Sequence, residues 1–234
     1  MIINMINIIS TFYLSKYNSP LDNDRSNELL SAFIKNFESP FVEKIHLFID
    51  DNESLEKLNN IIKKSDKVKI IEVGKKPKYS DFFKYISENL KDDICMITNA
   101  DIYLYDCPLN LIQLLKDNKN AYALTRHEYD MSHPLIDHFG GSHDCYIFNS
   151  KFLNNDLENE DINLHQNLPG IETHIIKYFF DQGFKIFNPC TQIKIVHLHK
   201  TNLRNHGPLV SLHIPGDYDF FYKSCWYVPP ITIE

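Results

Sequence analysis

The sequence predicts an α/β fold built on one mostly parallel sheet flanked by helices, and three observations carry that expectation. Short apolar runs alternate with segments of helical periodicity through the first two-thirds of the chain. Acids and imidazoles cluster just after those runs, where the loops of an open α/β sheet converge on a ligand. With 234 residues, one domain can bury about 70–75 % of the surface its unfolded chain exposes, so no staples are needed.

Taken in order, the run 6–12 reads as a strand, and 25–37 reads as a helix because Leu29, Leu30, Phe33, Ile34 and Phe37 recur at helical spacing. The run 45–49 completes a βαβ opening. A helix over 54–62, a strand over 68–73, a helix over 80–90 and a buried strand over 94–98 continue the alternation, which implies a doubly wound sheet. A helix over 109–117 and strands over 121–125 and 145–149 follow. The Asn-, Asp- and Glu-rich stretch 154–163 reads as a loop, then come a helix near 172–180, a strand over 192–197 and an aromatic, Pro-containing tail.

Composition narrows the function. Lys+Arg number 24 against 31 Asp+Glu, a formal net charge of -7, and the basic residues are scattered, which argues against nucleic acid as the partner. Such a protein binds a diphosphate only where a divalent cation or a local basic group neutralises the ligand. Cys95, Cys107, Cys145, Cys190 and Cys225 are odd in number and form no CxxC pair, so reduced thiols are expected. The stretch 1–9 is broken by asparagines and lacks a basic start; it reads as neither signal peptide nor membrane anchor, and a cytoplasmic location is expected.

The candidate chemistry sits at the strand ends. Asn99 and Asp101 would point the same way on an extended chain, and their oxygens suit Mg²⁺ or Mn²⁺; a simple strand-end turn is the alternative. His197 and His199 flank Leu198 and share a strand face, so a neutral imidazole could complete an octahedral site begun by Asp101, or the two could merely be hydrogen-bonded. Gly140-Gly141 before Asp144 allows close approach of a ligand to the backbone, or makes a plain turn, and His143 reads as a surface residue. Glu172 follows Pro169-Gly170 and opens a helix, whose N-terminus should lower its pKa. It is either a base for an acceptor hydroxyl or an ordinary first-turn glutamate. Asp50 and Asp51 could accept hydrogen bonds from a base or ribose and Tyr13 could stack on the base, or Asp51 or Asn52 could cap the helix that follows.

Tyr79-Ser80-Asp81-Phe82-Phe83, Ile97-Thr98-Asn99-Ala100-Asp101-Ile102-Tyr103-Leu104, Ala123-Leu124-Thr125-Arg126, Gly141-Ser142-His143-Asp144-Cys145-Tyr146-Ile147-Phe148, Pro169-Gly170-Ile171-Glu172 and His197-Leu198-His199 occur in the order seen in a group of GT-A-like, nucleotide-sugar-dependent glycosyltransferases. The sequence resembles that group over residues 6 to 206. The resemblance implies a single GT-A-like (Rossmann-like) domain over 1–234, with a nucleotide-binding half to about residue 105, an acceptor and metal-completing half over 106–210 and a tail over 211–234. It implies transfer of a sugar from a UDP- or GDP-sugar to a glycan or other hydroxyl acceptor with Mn²⁺ or Mg²⁺. Asn99-Ala100-Asp101 would stand at the DxD element with Asn in place of the first acid, and Asp101 with His197 or His199 would hold the metal. Thr11, Tyr13, Asp50, Asp81, Asn99, Arg126 and Arg204 would contact the donor; Asp144 and Glu172 would be the catalytic acids, although relatives often carry Asp-Asn where this chain has Glu172-Thr173. Two other readings stay open: a nucleotidyltransferase, which would want a basic Gly-rich loop absent near 10–13, and a carbohydrate-binding protein that kept the fold and lost catalysis.

Overall fold

The computed structural model describes residues 6–16, 18–62, 65–131, 142–154, 157–166, 168, 170–201, 203 and 228–233. Arg204, Gly140, Gly141, Pro169, Cys225 and most of the tail lie outside them, as do the assignments made for those residues. In chain order the elements are β1 (Ile6–Thr11), α1 (Asp22–Glu38), β2 (Val42–Ile49), α2 (Asn52–Ile62), β3 (Val68–Glu72), α3 (Tyr79–Asn89), β4 (Ile94–Thr98), β5 (Ile102–Asp106), α4 (Leu109–Asp117), β6 (Asn120–Leu124), β7 (His127–Glu128), β8 (Cys145–Asn149), α5 (Ile171–Asp181), β9 (Lys185–Phe187) and β10 (Lys194–His197).

Seven strands form the main sheet in the order β3-β2-β1-β4-β8-β6-β9, with β8 running antiparallel to both of its neighbours and the remaining pairings parallel. Because side chains alternate along a strand, Ile8, Leu47, Met96 and Ile147 enter one buried cluster while Ile9, Phe48, Ile97 and Phe148 enter the other. A sheet buried on both faces needs helices on both, which is why these strands read as continuous apolar runs. On the second face Phe83 and Phe179 pack against Phe148, and Phe83 lies 4.7 Å from the Tyr178 ring.

Three strands, β5, β7 and β10, make a smaller sheet in the order β5-β10-β7. Helix α1 docks on it through a stripe at helical spacing, Arg25, Leu29, Ala32, Phe33 and Asn36, that contains two polar residues. Asn36 donates from Nδ2 to the Ile102 carbonyl and accepts the Leu104 amide at its Oδ1, both at 2.9 Å, so it satisfies backbone groups of β5 that the main sheet leaves unpaired. Strands β5, β7 and β9 were not anticipated: β5 follows the Asn99–Asp101 turn with only three residues between it and β4, and the other two are only two and three residues long. His143 is buried, 1 % exposed, not on the surface as expected. Cys95, Cys107, Cys145 and Cys190 are free and buried, and no described helix is long and apolar enough to cross a membrane.

Candidate active site

Register brings the site together. Cys145 pairs with Thr98 on one side and Leu124 on the other, so the residues just beyond, Asn99, Asp144 and Arg126, emerge at one edge of the sheet. On the small sheet His197 pairs with Ile102 and with Glu128, and the Leu198 amide donates to the Asp101 carbonyl at 2.8 Å. A cleft of about 640 Å³ opens there, beside the carboxyl ends of β1, β2 and β4.

Asn99 and Asp101 do not point the same way. The chain turns at once, with the Ile102 amide donating to the Asn99 carbonyl at 3.2 Å, and the two side chains part. Asn99 donates from Nδ2 to Asp144 Oδ1 at 3.2 Å, so its amide nitrogen serves a neighbouring acid. Asp101 instead receives Arg25 Nη2 on its Oδ2 at 2.5 Å, with His197 Nε2 at 3.1 Å and His199 Nδ1 at 3.8 Å from the same oxygen. Burial by itself would raise the Asp101 carboxyl, but the hydrogen bond and charge of His197 and of Arg25 outweigh it and hold the group well below the usual carboxylate range.

Asp101, His197 and His199 fit a divalent cation: one oxygen and two nitrogen ligand atoms lie within 4.8 Å of one another. The two imidazoles are prepared differently. His199 donates from Nε2 to the Leu203 carbonyl at 3.2 Å, and since a carbonyl can only accept, the lone pair of the neutral ring is on Nδ1, the nitrogen nearer Asp101. His197 turns Nε2 to Asp101 and leaves Nδ1, buried and without a hydrogen-bond partner, 3.6 Å from Glu128 Oε2. To offer Nε2 to an ion, His197 would carry its proton on Nδ1, towards Glu128.

The other side of the cleft is built on Asp144 and Glu172. Asp144 accepts from Arg126 Nη1 at 2.9 and 3.1 Å on its two oxygens, from Asn99, and from the Ser142 hydroxyl in a very short contact. Gly170, whose φ of 85° suits glycine, precedes the first residue of α5, and this puts Glu172 in the first turn beside the cleft. Its carboxyl is pushed up to about 7, first by burial and then by the negative charge of Asp144, against the pull of its own amide, Arg126 and the Gly170 amide. The lowering expected from the helix N-terminus is therefore reversed, because desolvation outweighs the dipole.

Thr11, Tyr13 and Asp50 line the same cleft, together with Lys16, Lys76 and Pro77. Asp51 also reaches the cleft, but its carboxylate caps α2, accepting the Ser54 amide at 3.0 Å and the Ser54 hydroxyl at 2.6 Å. Asp81 does not line the cleft; it accepts the Lys78 amide at 2.8 Å and closes the first turn of α3. Sequence reasoning missed Arg25, Glu28, Gln166 and Lys76. The available signal for Arg25 was a basic residue in phase with the apolar stripe of α1.

No protein-family model matches the sequence, and no curated protein matches it. Solved structures do match in fold. A mannosyltransferase from Pyrobaculum calidifontis, determined with GDP-Man and Mn²⁺, superposes with a TM-score of 0.53 at 11 % identity, covering 82 % of this chain and 56 % of its own. GalNAc-T7, determined with UDP, GalNAc and Mn²⁺, does so with a TM-score of 0.50 at 12 % identity, covering 84 % of this chain and 44 % of its own. The chain thus spans about half the length of these structures. The seven-stranded, mostly parallel sheet between helices is the GT-A fold.

Proposed function

We propose that this chain transfers a sugar from a nucleotide diphospho-sugar to a hydroxyl acceptor. The observation that carries the reading is a single cleft lined both by an ion-ready trio, Asp101, His197 and His199, and by a carboxyl tuned to about 7, Glu172. Tyr13 would stack on the base and Asp50 would accept from the nucleoside, at the open ends of β1 and β2. A divalent ion held by Asp101 and the two histidines would neutralise the diphosphate and stabilise it as a leaving group. Two imidazoles favour Mn²⁺ over Mg²⁺, which prefers all-oxygen surroundings.

Glu172 is the better base of the two acids. Its carboxyl, raised by burial, is half ionised near neutrality and suits removal of the acceptor hydroxyl's proton as the sugar–oxygen bond breaks. Asp144, already accepting from Arg126, Ser142 and Asn99, has its lone pairs engaged. It acts as a fixed anion that orients Arg126 in the cleft and raises Glu172. Thermal shift against UDP- and GDP-sugars, with and without Mn²⁺, followed by assay of nucleoside diphosphate release, tests the reading. Stabilisation that needs both donor and Mn²⁺, with release of the diphosphate, supports it; stabilisation by glycans alone points to a binding protein.

A further inference from the structure

Arg25 is the cation already present at the ion-ready trio. It is 4 % exposed, and its Nη2 lies on Asp101 Oδ2, the same oxygen that the two imidazoles face. Its Nη1 is shared between Glu28 Oε2 at 3.1 Å and the Leu198 carbonyl at 3.2 Å. Glu28 in turn accepts the Lys200 amide at 2.7 Å, the Thr201 amide at 2.8 Å and the Thr201 hydroxyl at 3.0 Å. Helix α1 therefore fixes the guanidinium and the His197–Thr201 backbone in one framework. A divalent ion entering alone meets an acid whose Oδ2 is already taken by a guanidinium that Glu28 and the Leu198 carbonyl hold in place. A diphosphate offers that guanidinium a second anionic partner, and so frees Asp101 for the ion.

We propose that Arg25 is a resident counter-cation on Asp101 that makes capture of the divalent ion conditional on the diphosphate. This rests on the glycosyltransferase reading and deepens it: Arg25 holds Asp101, and ion and nucleotide bind as a coupled pair, with Arg25 shared between Asp101 and phosphate oxygens. Coupling of this kind is reciprocal, so nucleotide affinity rises with Mn²⁺ by the factor by which Mn²⁺ affinity rises with nucleotide.

Electron paramagnetic resonance of free Mn²⁺, read against the full chain with UDP or GDP and corrected for Mn²⁺ bound by nucleotide in solution, measures this coupling without any turnover. The wild type should bind Mn²⁺ at least about tenfold more tightly with nucleotide than without. Arg25→Met should raise nucleotide-free Mn²⁺ affinity by about tenfold and shrink the coupling, while Arg25→Lys, which keeps the charge, should preserve most of it. A folded Arg25→Met that binds Mn²⁺ no better than wild type overturns the proposal. If that variant does not fold, the wild type still decides: equal Mn²⁺ affinity with and without a nucleotide that binds overturns this inference alone. Failure of every form to bind UDP or GDP overturns the glycosyltransferase reading and this inference with it.

Discussion

Asp101 and Glu172 line the same cleft, and burial pushes both carboxyls towards the protonated form, yet they end on opposite sides of their ordinary range. Asp101 receives His197 and Arg25, and their hydrogen bonds and positive charge keep it ionised. Glu172 has Asp144 as its strongest charged neighbour, and the pull of Arg126 is weaker than that repulsion. Desolvation of both, combined with unlike neighbours, thus yields an anion on one side and a carboxyl that titrates near neutrality on the other.

The sharpest way to break this comparison is at Glu172. Glu172→Gln should lower transfer by about 10²–10⁴-fold, the usual worth of a general base, and assay of the transferred sugar checks it. The next largest effect is on the other acid. Asp101→Ala leaves a buried guanidinium without its closest partner, so a loss of about 3–5 kcal/mol in unfolding free energy is expected along with loss of Mn²⁺-dependent donor binding. Chemical denaturation of Asp101→Ala and of the Arg25→Met/Asp101→Ala pair checks this, because removing both charges should recover much of the stability.

The pH dependence distinguishes the two sides further. Transfer by wild type, read as kcat/KM, should rise with pH through an apparent pKa near 7, and Glu172→Gln should flatten that limb. A carboxyl whose folded pKa is raised is free of penalty below its unfolded value and costs stability as pH climbs from there to about 7. Glu172→Gln should accordingly raise Tm at pH 8 relative to wild type and leave it little changed at pH 4. The smallest effect separates site from scaffold: Asp81→Ala should cost about 1 kcal/mol, the value of a helix-terminal carboxylate, with donor affinity unchanged in calorimetry.

Much of the scaffold could be read in the sequence because it depends on local periodicity. The runs 94–98 and 145–149 coincide with β4 and β8, and 109–117 coincides with α4. What escaped depends on partners distant in sequence. Strand β5 exists because β10 pairs with it and Asn36 satisfies its edge, which nothing in Ile102–Asp106 announces. Arg25 meets Asp101 across 76 positions, so the stripe of α1 showed that it would be buried but not against what. The parting of Asn99 from Asp101 came from a turn, which spacing in an extended chain does not reveal. At Glu172 the helix N-terminus was visible in sequence, whereas the larger influence, burial beside Asp144, is a property of the assembled cleft. His197 and His199 were equivalent in sequence, and only the Leu203 carbonyl distinguishes the nitrogen each offers.

The measurement closest to the central claim is donor affinity, determined by calorimetry in Mn²⁺ for wild type, His199→Ala and Glu172→Gln side by side. In the proposed mechanism, one side of the cleft acts in the ground state and the other only as the proton moves. Glu172→Gln should bind UDP or GDP within about twofold of wild type, while His199→Ala should bind about tenfold or more weakly and respond less to EDTA, as loss of a ligand requires. Equal affinity in EDTA and Mn²⁺ for the wild type, or a donor-binding loss in Glu172→Gln as large as that in His199→Ala, would contradict the account.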